Sequence, residues 1–380
     1  MNITVVCDVL GLENNGVTIA AMNLIRFLKS RNHNVRVLCA DESKLGQDGY
    51  FVVPSRSFGP FDGYLEKNGI TLAKPVEMVV RNAIANVDVV HVMLPFSLGF
   101  AAVKIAKEYG IPVCAGFHQL AENFSVHLKM DRVPLVNKIT YAHFHCFYKD
   151  VDCIHYVSQY VRSVYEAMYG ETVGCVISNG VNEIFKPMPE IRKSLSDDVI
   201  YIHYTGRYSY EKSHKTLIDA VEFSRYKDKL QLVFAGNGPI KDELEKYSAK
   251  LPLKPIFGFY SRQELVERLN TATLYVHAAE YEAEGIGCLE AISCGIVPVI
   301  SDSPKCATRF YAIDDKSLFE CNNPKNLAEK IDWWLDNPEI REEYSKRYIK
   351  MAESDFDHNS CMMKMEEMFE RTIRDYKSAK

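Results

Sequence analysis

The sequence lacks the features that mark several common classes of protein. No apolar run approaches the roughly 20 residues that a membrane-spanning helix needs. The 11 cysteines include no CxxC pair and no spacing typical of a metal site, which indicates reduced thiols rather than a disulfide framework. The formal charge of -5 gives no support for nucleic-acid binding. Short-period repeats and low-complexity segments are also missing.

The N-terminus, the length and the composition indicate what kind of protein the sequence encodes. The opening residues, MNITVVCDVL, have no charged n-region and run directly into an apolar stretch, so we do not expect a signal peptide. The chain has 380 residues, enough for two domains of about 150 residues each. Its composition, 47% hydrophobic and 25% charged, is typical of a soluble globular protein. We therefore expect a cytoplasmic protein with two domains.

Apolar runs typical of buried parallel strands alternate with helical patterns along the chain. The run from Asn2 to Val9, for example, is followed by a turn at Gly16, a helical pattern and a second strand from Val35 to Cys39. Such βαβ units place ligands at the carboxyl ends of their strands, and Gly16 would let a phosphate approach there. The alternative is that Thr18 simply caps the helix. The pattern predicts an α/β protein with doubly wound parallel sheets.

One stretch, from His277 to Pro298, carries the strongest functional signal. A strand candidate is followed by a loop that contains Glu282, and then Gly285 and Gly287 open a short helix that contains Glu290. A helix N-terminus can hold a phosphate, and glycine lets the ligand approach the backbone. Carboxylates can accept hydrogen bonds from sugar hydroxyls. On the residues alone, solvated surface acids are an equally good interpretation.

Two other strand ends carry polar candidates. Arg207 and Lys212 follow the strand predicted at Val199 to Tyr204, and two fixed cations there can neutralise a leaving diphosphate. Two solvated surface bases are the ordinary alternative. His118 follows the strand predicted at Ile111 to Phe117, at the edge where α/β sheets bind their ligands.

The E-x7-E spacing of Glu282 and Glu290, with Gly285 between them, resembles the signature of the retaining glycosyltransferases of family 4. Those enzymes have the GT-B fold, in which two Rossmann-like domains face each other across a cleft that holds the active site. The resemblance implies the same architecture here, with a C-terminal helix that crosses back to the first domain. Glu284 departs from the family pattern, which has an aromatic or small apolar residue at this position.

Two further runs resemble the same family. The GR-x4-K spacing of Arg207 and Lys212 is the arrangement that the family uses to hold the donor diphosphate. The run SNGVNEIFKP, residues 178–187, resembles its interdomain crossing. These matches imply the following division: an acceptor-binding domain at 1–185 joined by the C-terminal helix at about 356–380, and a nucleotide-sugar-binding domain at 186–355.

The resemblance assigns a role to each matching position. It places His118 and Glu282 at the donor sugar, and Arg207 and Lys212 at the diphosphate. It implies same-face transfer, in which the departing phosphate takes the proton of the acceptor, without a metal or other cofactor. The remaining donor-binding positions that it implies are Gly16, Gly236, Phe257, Gly285, Ile286, Gly287 and Glu290.

A softer resemblance concerns the acceptor. GFHQLAEN, residues 116–123, is similar to diacylglycerol glycosyltransferases of the family, and the segment 124–150 is similar to the membrane-facing part of relatives with lipid acceptors. In that segment Lys129, Arg132 and Lys138 interleave with apolar residues and would contact an anionic membrane. An ordinary half-buried helix is the alternative. The expected reaction is transfer of glucose or galactose from a UDP-sugar to diacylglycerol or a ceramide-like lipid, at the inner face of the cell membrane.

Other functions stay open at this point. The acceptor could instead be a soluble or polyprenyl-linked polysaccharide intermediate, or the chain could be a UDP-sugar 2-epimerase on the same scaffold, which acts on the nucleotide sugar alone. A non-catalytic binding protein would have no need for the diphosphate cations. An NAD-dependent dehydrogenase is disfavoured, because GLENNG at 11–16 is not a G-x-G-x-x-G turn. Neither the sugar nor the oligomeric state follows from the sequence.

Overall fold

The computed structural model describes the chain in segments, and within them the chain divides into two compact units. The first unit comprises Met1–Asn179 together with Asn359–Lys380, and the second comprises Gly180–His358. The described residues are 1–8, 10, 16–57, 59, 72–126, 130–131, 133–193 and 198–380.

Unit 1 is built on a parallel sheet whose order, over the described residues, is β3-β2-β1-β4-β5-β6-β7. Helices cover the sheet, and the residues of its central strands are therefore almost all buried. The strands are β1 (Asn2–Cys7), β2 (Asn34–Cys39), β3 (Tyr50–Val52), β4 (Val89–Val92), β5 (Val113–Phe117), β6 (Cys153–Tyr156) and β7 (Gly174–Val176).

Two helices of unit 1 have caps of the usual kinds. Gly110 ends the third helix in the left-handed conformation with φ 66°, and the Ser158 hydroxyl caps the sixth by accepting from Val161 N at 3.3 Å. The first helix begins at Gly16, so Thr18 lies buried inside its first turn and the alternative that Thr18 caps it is wrong. These helices are α1 (Gly16–Ser30), α2 (Glu77–Ile84), α3 (Ser97–Tyr109), α4 (Glu122–Ser125), α5 (Pro134–Tyr148) and α6 (Gln159–Tyr169).

Unit 2 has a second parallel sheet, with the order β10-β9-β8-β11-β12-β13 over the described residues. The chain starts this sheet at a central strand, adds two strands on one side and then returns to build the other side. The strands are β8 (Ile200–Thr205), β9 (Leu230–Ala235), β10 (Ile256–Gly258), β11 (Leu274–His277), β12 (Pro298–Ser301) and β13 (Leu318–Phe319). The prediction of doubly wound parallel sheets is confirmed for both units.

The helices of unit 2 alternate with these strands. One of them starts with a capping box, in which the Ser261 hydroxyl accepts from the backbone of Glu264 while the Glu264 carboxylate accepts from the backbone of Ser261. The helices are α7 (Pro189–Lys193), α8 (His214–Phe223), α9 (Lys241–Tyr247), α10 (Arg262–Asn270), α11 (Ile286–Ser293), α12 (Pro324–Asp336) and α13 (Pro338–Asp355).

The last helix, α14 (His358–Ser378), belongs to the core of unit 1. Its side chains Met362, Met365, Met368 and Phe369 are all buried in one cluster with the residues of β1 and α1. Burial of four large apolar side chains contributes several kcal/mol of stabilisation, at about 1.5–3 kcal/mol each. The predicted return of the C-terminal helix to the first domain is thus confirmed.

At the carboxyl edge of the unit 2 sheet, the loops after β8 and β9 touch through their backbones. A Cβ atom on Gly236 would lie 1.9 Å from the carbonyl oxygen of Gly206, and a Cβ on Gly238 would lie 2.3 Å from that of Tyr208. Two backbone hydrogen bonds also join these loops, Gly206 N to Ala235 O at 2.9 Å and Tyr208 N to Asn237 O at 3.0 Å. Only glycine permits this approach, which fixes where the β8 loop leaves the sheet.

The contact predicts a sharp difference between two neighbouring glycines. Gly236→Ala forces backbone apart, so we expect it to lower the free energy of unfolding by about 3 kcal/mol, the upper end for overpacking. In the matched variant Gly206→Ala, the new Cβ would be 3.7 Å from its nearest neighbour, an ordinary contact. We expect this variant to lose less than about 1 kcal/mol. Urea unfolding of both variants tests the comparison, and equal losses would contradict the backbone contact.

Candidate active site

Unit 2 brings most of its predicted site residues to one edge of its sheet. Strands β8 and β11 are direct parallel neighbours, with Leu274 opposite Ile202, so the loops that follow them start side by side. Arg207 and Lys212 lie in the loop after β8, and Glu282 lies in the loop after β11, residues 278–285, which we call the acid loop. The carboxyl ends of parallel strands at a change in strand order are where α/β sheets bind ligands.

Glu282 and Lys212 form a buried ion pair. The Lys212 ammonium donates a hydrogen bond to Glu282 Oε2, and His277 Nε2 lies 3.3 Å from the same oxygen. The two ion-paired side chains are only 14% and 16% exposed. Burial by itself would raise the pKa of Glu282, but Lys212 and His277 outweigh it and hold the pKa at about 2. Glu282 is therefore ionised and fixed, and the interpretation as a solvated surface acid is wrong.

The backbone of Glu282 is held as firmly as its side chain. Its N–H donates to the carbonyl of Lys305 at 3.3 Å, and its carbonyl accepts from the N–H of Ala307 at 2.8 Å. These bonds form a short parallel bridge between Glu282 and Cys306. The loop after β12 thus supports the acid loop, which gives the carboxylate a fixed position relative to the sheet.

Arg207 has an acidic partner that the sequence analysis did not identify. Its Nη2 lies 3.0 Å from Glu211 Oε1, and the Ser209 hydroxyl donates to the same oxygen at 2.6 Å. Glu211 lies between the two predicted cations in the sequence, and that position was the one available signal for it. Both predicted cations are consequently paired with carboxylates within this unit.

The N-terminus of α11 opens beside this set. Gly285 precedes the helix with φ 87°, and a Cβ there would lie 2.2 Å from Thr308 Cγ2, so both the conformation and the space require glycine. A Cβ on Gly287 would lie 3.0 Å from the carbonyl oxygen of Thr205, at the end of β8. The first turn of α11, Ile286 and Gly287, therefore lies against the end of β8. The positive end of the α11 dipole lies at the same place.

Glu290 is not the exposed helix residue that the alternative interpretation required, because it is only 5% exposed. Burial raises its pKa to about 7, against the opposing effect of Arg262, whose Nη2 lies 3.4 Å from Glu290 Oε1. The Arg262 guanidinium also lies over the ring of Phe185, 5.1 Å from its centroid. Sequence analysis missed Arg262, since nothing in its local pattern links the start of α10 to α11.

Phe257 uses its side chain for packing. Its ring stacks on Phe234 with the centroids 5.0 Å apart and meets the edge of Tyr208 at 5.7 Å. A ligand at this strand end would therefore meet the backbone that follows the ring, at Gly258. The donor-binding role that the resemblance implies for Phe257 stays a prediction.

In unit 1, His118 follows β5 and lies beside two other buried histidines. The ring centroids of His118 and His155 are 5.5 Å apart, and those of His155 and His91 are 6.2 Å apart. Burial, with a smaller contribution from His155 and His91, holds the pKa of His118 well below its usual value. His118 is therefore a neutral imidazole.

Gly16 begins α1, and the residues of the predicted turn before it lie outside the described part of the chain.

His91, on β4, is the third buried histidine of this group. It is fully buried, but neither ring nitrogen makes a hydrogen bond within the described residues. Burial, with a smaller effect from His155, lowers its pKa to about 3, which keeps the ring neutral. No group of three possible metal ligands occurs in the described segments, and the ring of His145 stacks on that of Tyr169 with the centroids 4.1 Å apart.

The basic amphipathic segment is partly described. Lys129 and Arg132 lie outside the described residues, whereas Lys138 lies exposed on α5. The same helix exposes Leu135 and Ile139, at 65% and 60%, and buries Tyr141 and Phe144 in unit 1. This helix thus has one packed face and one apolar face that unit 1 leaves uncovered. In the described portion of the chain, no helix combines the length and the apolarity needed to cross a bilayer.

Two parallel-sheet Rossmann-like units with this loop arrangement define the GT-B class of fold. Family models match almost the whole chain in two adjoining pieces, Glycosyltransferase Family 4 at residues 14–184 and Glycosyl transferases group 1 at residues 188–351. The chain belongs to glycosyltransferase family 4.

Among curated relatives, the chain is 26% identical over 228 residues to the alpha-monoglucosyldiacylglycerol synthase of Streptococcus pneumoniae, which covers 56% of this chain and 51% of that protein. It is 27% identical over 347 residues to the sulfoquinovosyl transferase SQD2 of Arabidopsis thaliana, 84% of this chain and 64% of that one. The chain thus spans about half to two thirds of the length of these relatives.

Two solved structures are also similar. Anabaena HepE in complex with UDP has a TM-score of 0.76 and 15% identity, over 98% of this chain and 100% of that one. The catalytic domain of the cholesterol-alpha-glucosyltransferase of Helicobacter pylori is 51% identical over 40% of this chain and 96% of that one, with a TM-score of 0.39.

The two acids of the E-x7-E pair should have opposite effects on stability. The pKa of Glu290 is raised from 4.5 to about 7, so its contribution to stability is complete below pH 4.5 and is lost as the pH rises to 7. The pKa of Glu282 is lowered from 4.5 to about 2, so its contribution is present above pH 4.5 and is lost as the pH falls to 2.

We therefore expect Glu290→Gln to be more stable than the wild type by about 3 kcal/mol at pH 8 and equally stable near pH 4.5. At pH 8, Glu282→Gln should instead be less stable than the wild type, because it leaves Lys212 buried without its carboxylate. Thermal unfolding at the two pH values measures both differences. Shifts of the same sign for the two variants at pH 8 would contradict this assignment.

Proposed function

We propose that the protein is a retaining hexosyltransferase that moves glucose or galactose from a UDP-sugar to the hydroxyl group of a lipid. The observation that carries this proposal is the arrangement of Arg207, Lys212 and Glu282 beside the N-terminus of α11, at one edge of the unit 2 sheet. Cations and helix N–H groups suit a diphosphate, and a fixed carboxylate suits sugar hydroxyls. The UDP complex of HepE, which has the same fold, supports a nucleotide donor.

Each part of the donor has a matching group. The diphosphate would be held by Arg207, Lys212 and the N–H groups of Ile286 and Gly287. Glu290 would accept hydrogen bonds from the ribose hydroxyls, and the backbone beyond Phe257 and Gly236 would meet the base. The sugar would contact Glu282. For His118 and Gly16, which belong to unit 1, contacts with the donor sugar and the donor phosphate are what the family resemblance implies, and they stay predictions.

The proposed reaction depends on stabilising the leaving group. As the bond between the anomeric carbon and the phosphate breaks, negative charge grows on the diphosphate, where two fixed cations and a helix dipole are worth more than they would be in water. The acceptor hydroxyl then attacks the same face and gives its proton to the departing phosphate. In this scheme Glu282 holds sugar hydroxyls, since a carboxylate paired with Lys212 is a poor nucleophile. The scheme assigns no step to a metal or cofactor.

Two observations support a lipid acceptor. One relative is named for the synthesis of a glucosyl diacylglycerol. In addition, α5 exposes Leu135 and Ile139 one helical turn apart, with Lys138 between them. Apolar side chains next to a base are suited to the surface of an anionic membrane. The proposal therefore places the protein at the inner face of the membrane, bound peripherally.

A donor and acceptor matrix tests the activity. Purified protein would be incubated with labelled UDP-glucose, UDP-galactose, UDP-N-acetylglucosamine or GDP-mannose, and each donor would be offered diacylglycerol, ceramide or cholesterol in anionic liposomes, a soluble glycan pool, or no acceptor. We expect one UDP-hexose to label one lipid with retained configuration. Arg207→Gln should lower kcat/KM by roughly 100-fold, the usual loss for one stabilising donor.

The matched control is Arg225→Gln, which removes a cation from an exposed ion pair with Asp336 in the same unit. It should leave the rate unchanged. Labelling of soluble glycans alone would contradict the lipid acceptor and retain a glycosyltransferase. Conversion of a donor without any acceptor would indicate an epimerase or a hydrolase and contradict the proposed reaction.

Membrane contact through α5 has its own test. The double variant Leu135→Ser with Ile139→Ser removes two exposed apolar side chains, so we expect binding to anionic liposomes to weaken about tenfold or more in co-sedimentation. Activity on a short-chain, water-dispersed acceptor should not change. Val173→Ser, which removes a side chain that is 68% exposed elsewhere on unit 1, is the control. Equal liposome binding by all three proteins would exclude α5 as the contact.

A further inference from the structure

Glu211 is a buried acid between the two cations of the candidate site, and neither the sequence motifs nor the proposed reaction uses it. The residue is 2% exposed. Its Oε1 accepts hydrogen bonds from Arg207 at 3.0 Å and from Ser209 at 2.6 Å. Its Oε2 is buried and makes no hydrogen bond among the described residues. A carboxylate oxygen without a donor is costly inside a protein, so the position calls for an explanation.

The carboxylate carries a full charge. Burial would raise the pKa of Glu211, but Arg207 and then Lys212 outweigh burial and keep the pKa below its usual value. Two cations, Arg207 and Lys212, are therefore matched by two anions, Glu211 and Glu282. The set that would receive a diphosphate has no net charge before the ligand binds, although it contains two bases.

This balance bears on the difference between substrate and product. A sugar-linked diphosphate carries about two negative charges, whereas a free nucleoside diphosphate carries nearly one more, because the second ionisation of a terminal phosphate has a pKa of about 6. Cations alone would therefore bind the product more tightly than the donor. A fixed anion next to those cations repels the more highly charged species more strongly.

We propose that Glu211 is a positioning residue that holds Arg207 in place and selectively weakens the binding of the nucleoside diphosphate product relative to the sugar donor. The proposal rests on the function proposed above, in which Arg207 and Lys212 hold the diphosphate. It gives the buried charge a role in product release that neither cation can perform.

Glu211 also connects two loops through its backbone. A variant that changes only the side chain leaves this connection intact. The carbonyl of Glu211 accepts from the N–H of Glu280 at 2.8 Å and so connects the β8 loop to the acid loop. The short helical turn Tyr210–Lys212 is closed by backbone bonds of Lys212 and Ser213 at 3.2 and 3.0 Å. Changing the carboxylate therefore alters the charge of the site while these connections persist.

The test compares UDP with the sugar donor in Glu211→Gln, which keeps the size of the side chain and removes its charge. We expect calorimetry to show UDP binding about tenfold more tightly than in the wild type, the order expected for one unit charge at roughly 8 Å after screening. The KM of the donor should fall by less, about threefold, so the ratio of the UDP inhibition constant to that KM should decrease. A purely structural defect would weaken both ligands together.

Two further variants complete the experiment. Glu342→Gln, which removes the same charge from an exposed pair with Lys346, should leave both constants unchanged. If Glu211→Gln does not fold, Glu211→Ala removes the charge together with the hold on Arg207. Both ligands should then bind less tightly, but the ratio of the UDP inhibition constant to the donor KM should still decrease.

The outcomes separate the two proposals. UDP binding that is equal or weaker in Glu211→Gln, or an unchanged ratio in Glu211→Ala, with normal binding by the wild type, would overturn the role of Glu211 and leave the proposed function intact. A wild type that fails to bind UDP would overturn both. If the wild type binds UDP but transfers no sugar, the calorimetric comparison still decides the inference.

Discussion

The buried ion pair between Lys212 and Glu282 is the contact on which the candidate site depends. Each charge would be costly without the other, because breaking a buried pair leaves an uncompensated ion at a cost of about 3–5 kcal/mol. The two residues lie in loops that follow neighbouring strands, so the register of β8 and β11 brings their side chains together. The bridge between Glu282 and Cys306 then fixes the carboxylate from the other side. The strand register and the positions of both loops must therefore keep these two charges in contact.

Close backbone contact is the second constraint, and it explains where the glycines lie. The loop after β9 meets the loop after β8 at Gly236, where there is no space for a Cβ, and α11 meets the end of β8 at Gly287, where a Cβ would be crowded. Side chains are excluded from these two contacts, so backbone N–H and carbonyl groups lie at this edge beside the charged side chains. Such groups can recognise phosphates and the edge of a base without a titratable side chain. The packing requirement and the binding chemistry therefore favour the same residue type.

The parallel sheets and the spacing of the E-x7-E pair were predictable from the sequence, because strand patterns and motif spacing are local signals. The partners of those residues were not. Glu211 reaches Arg207 only because a tight helical turn, followed by Ser213 in the left-handed conformation at φ 48°, folds the loop back. Arg262 meets Glu290 across two successive helices, 28 residues away in the chain. Burial of the acids, and hence their opposite pKa shifts, also depends on tertiary packing that a single sequence does not display.

A neutral set of fixed charges changes how the site would act on a donor. If Arg207 and Lys212 were unpaired, they would attract any anion, and they would have to be desolvated and reoriented when a diphosphate arrived. Paired with Glu211 and Glu282, they already occupy defined positions, so the ligand shares existing contacts instead of creating new ones. Discrimination then comes from geometry: a phosphate must reach the cations while a hydroxyl reaches Glu282. A ligand with only one of these groups can contact either the cations or Glu282 but not both. This favours a sugar-linked diphosphate over a simple anion.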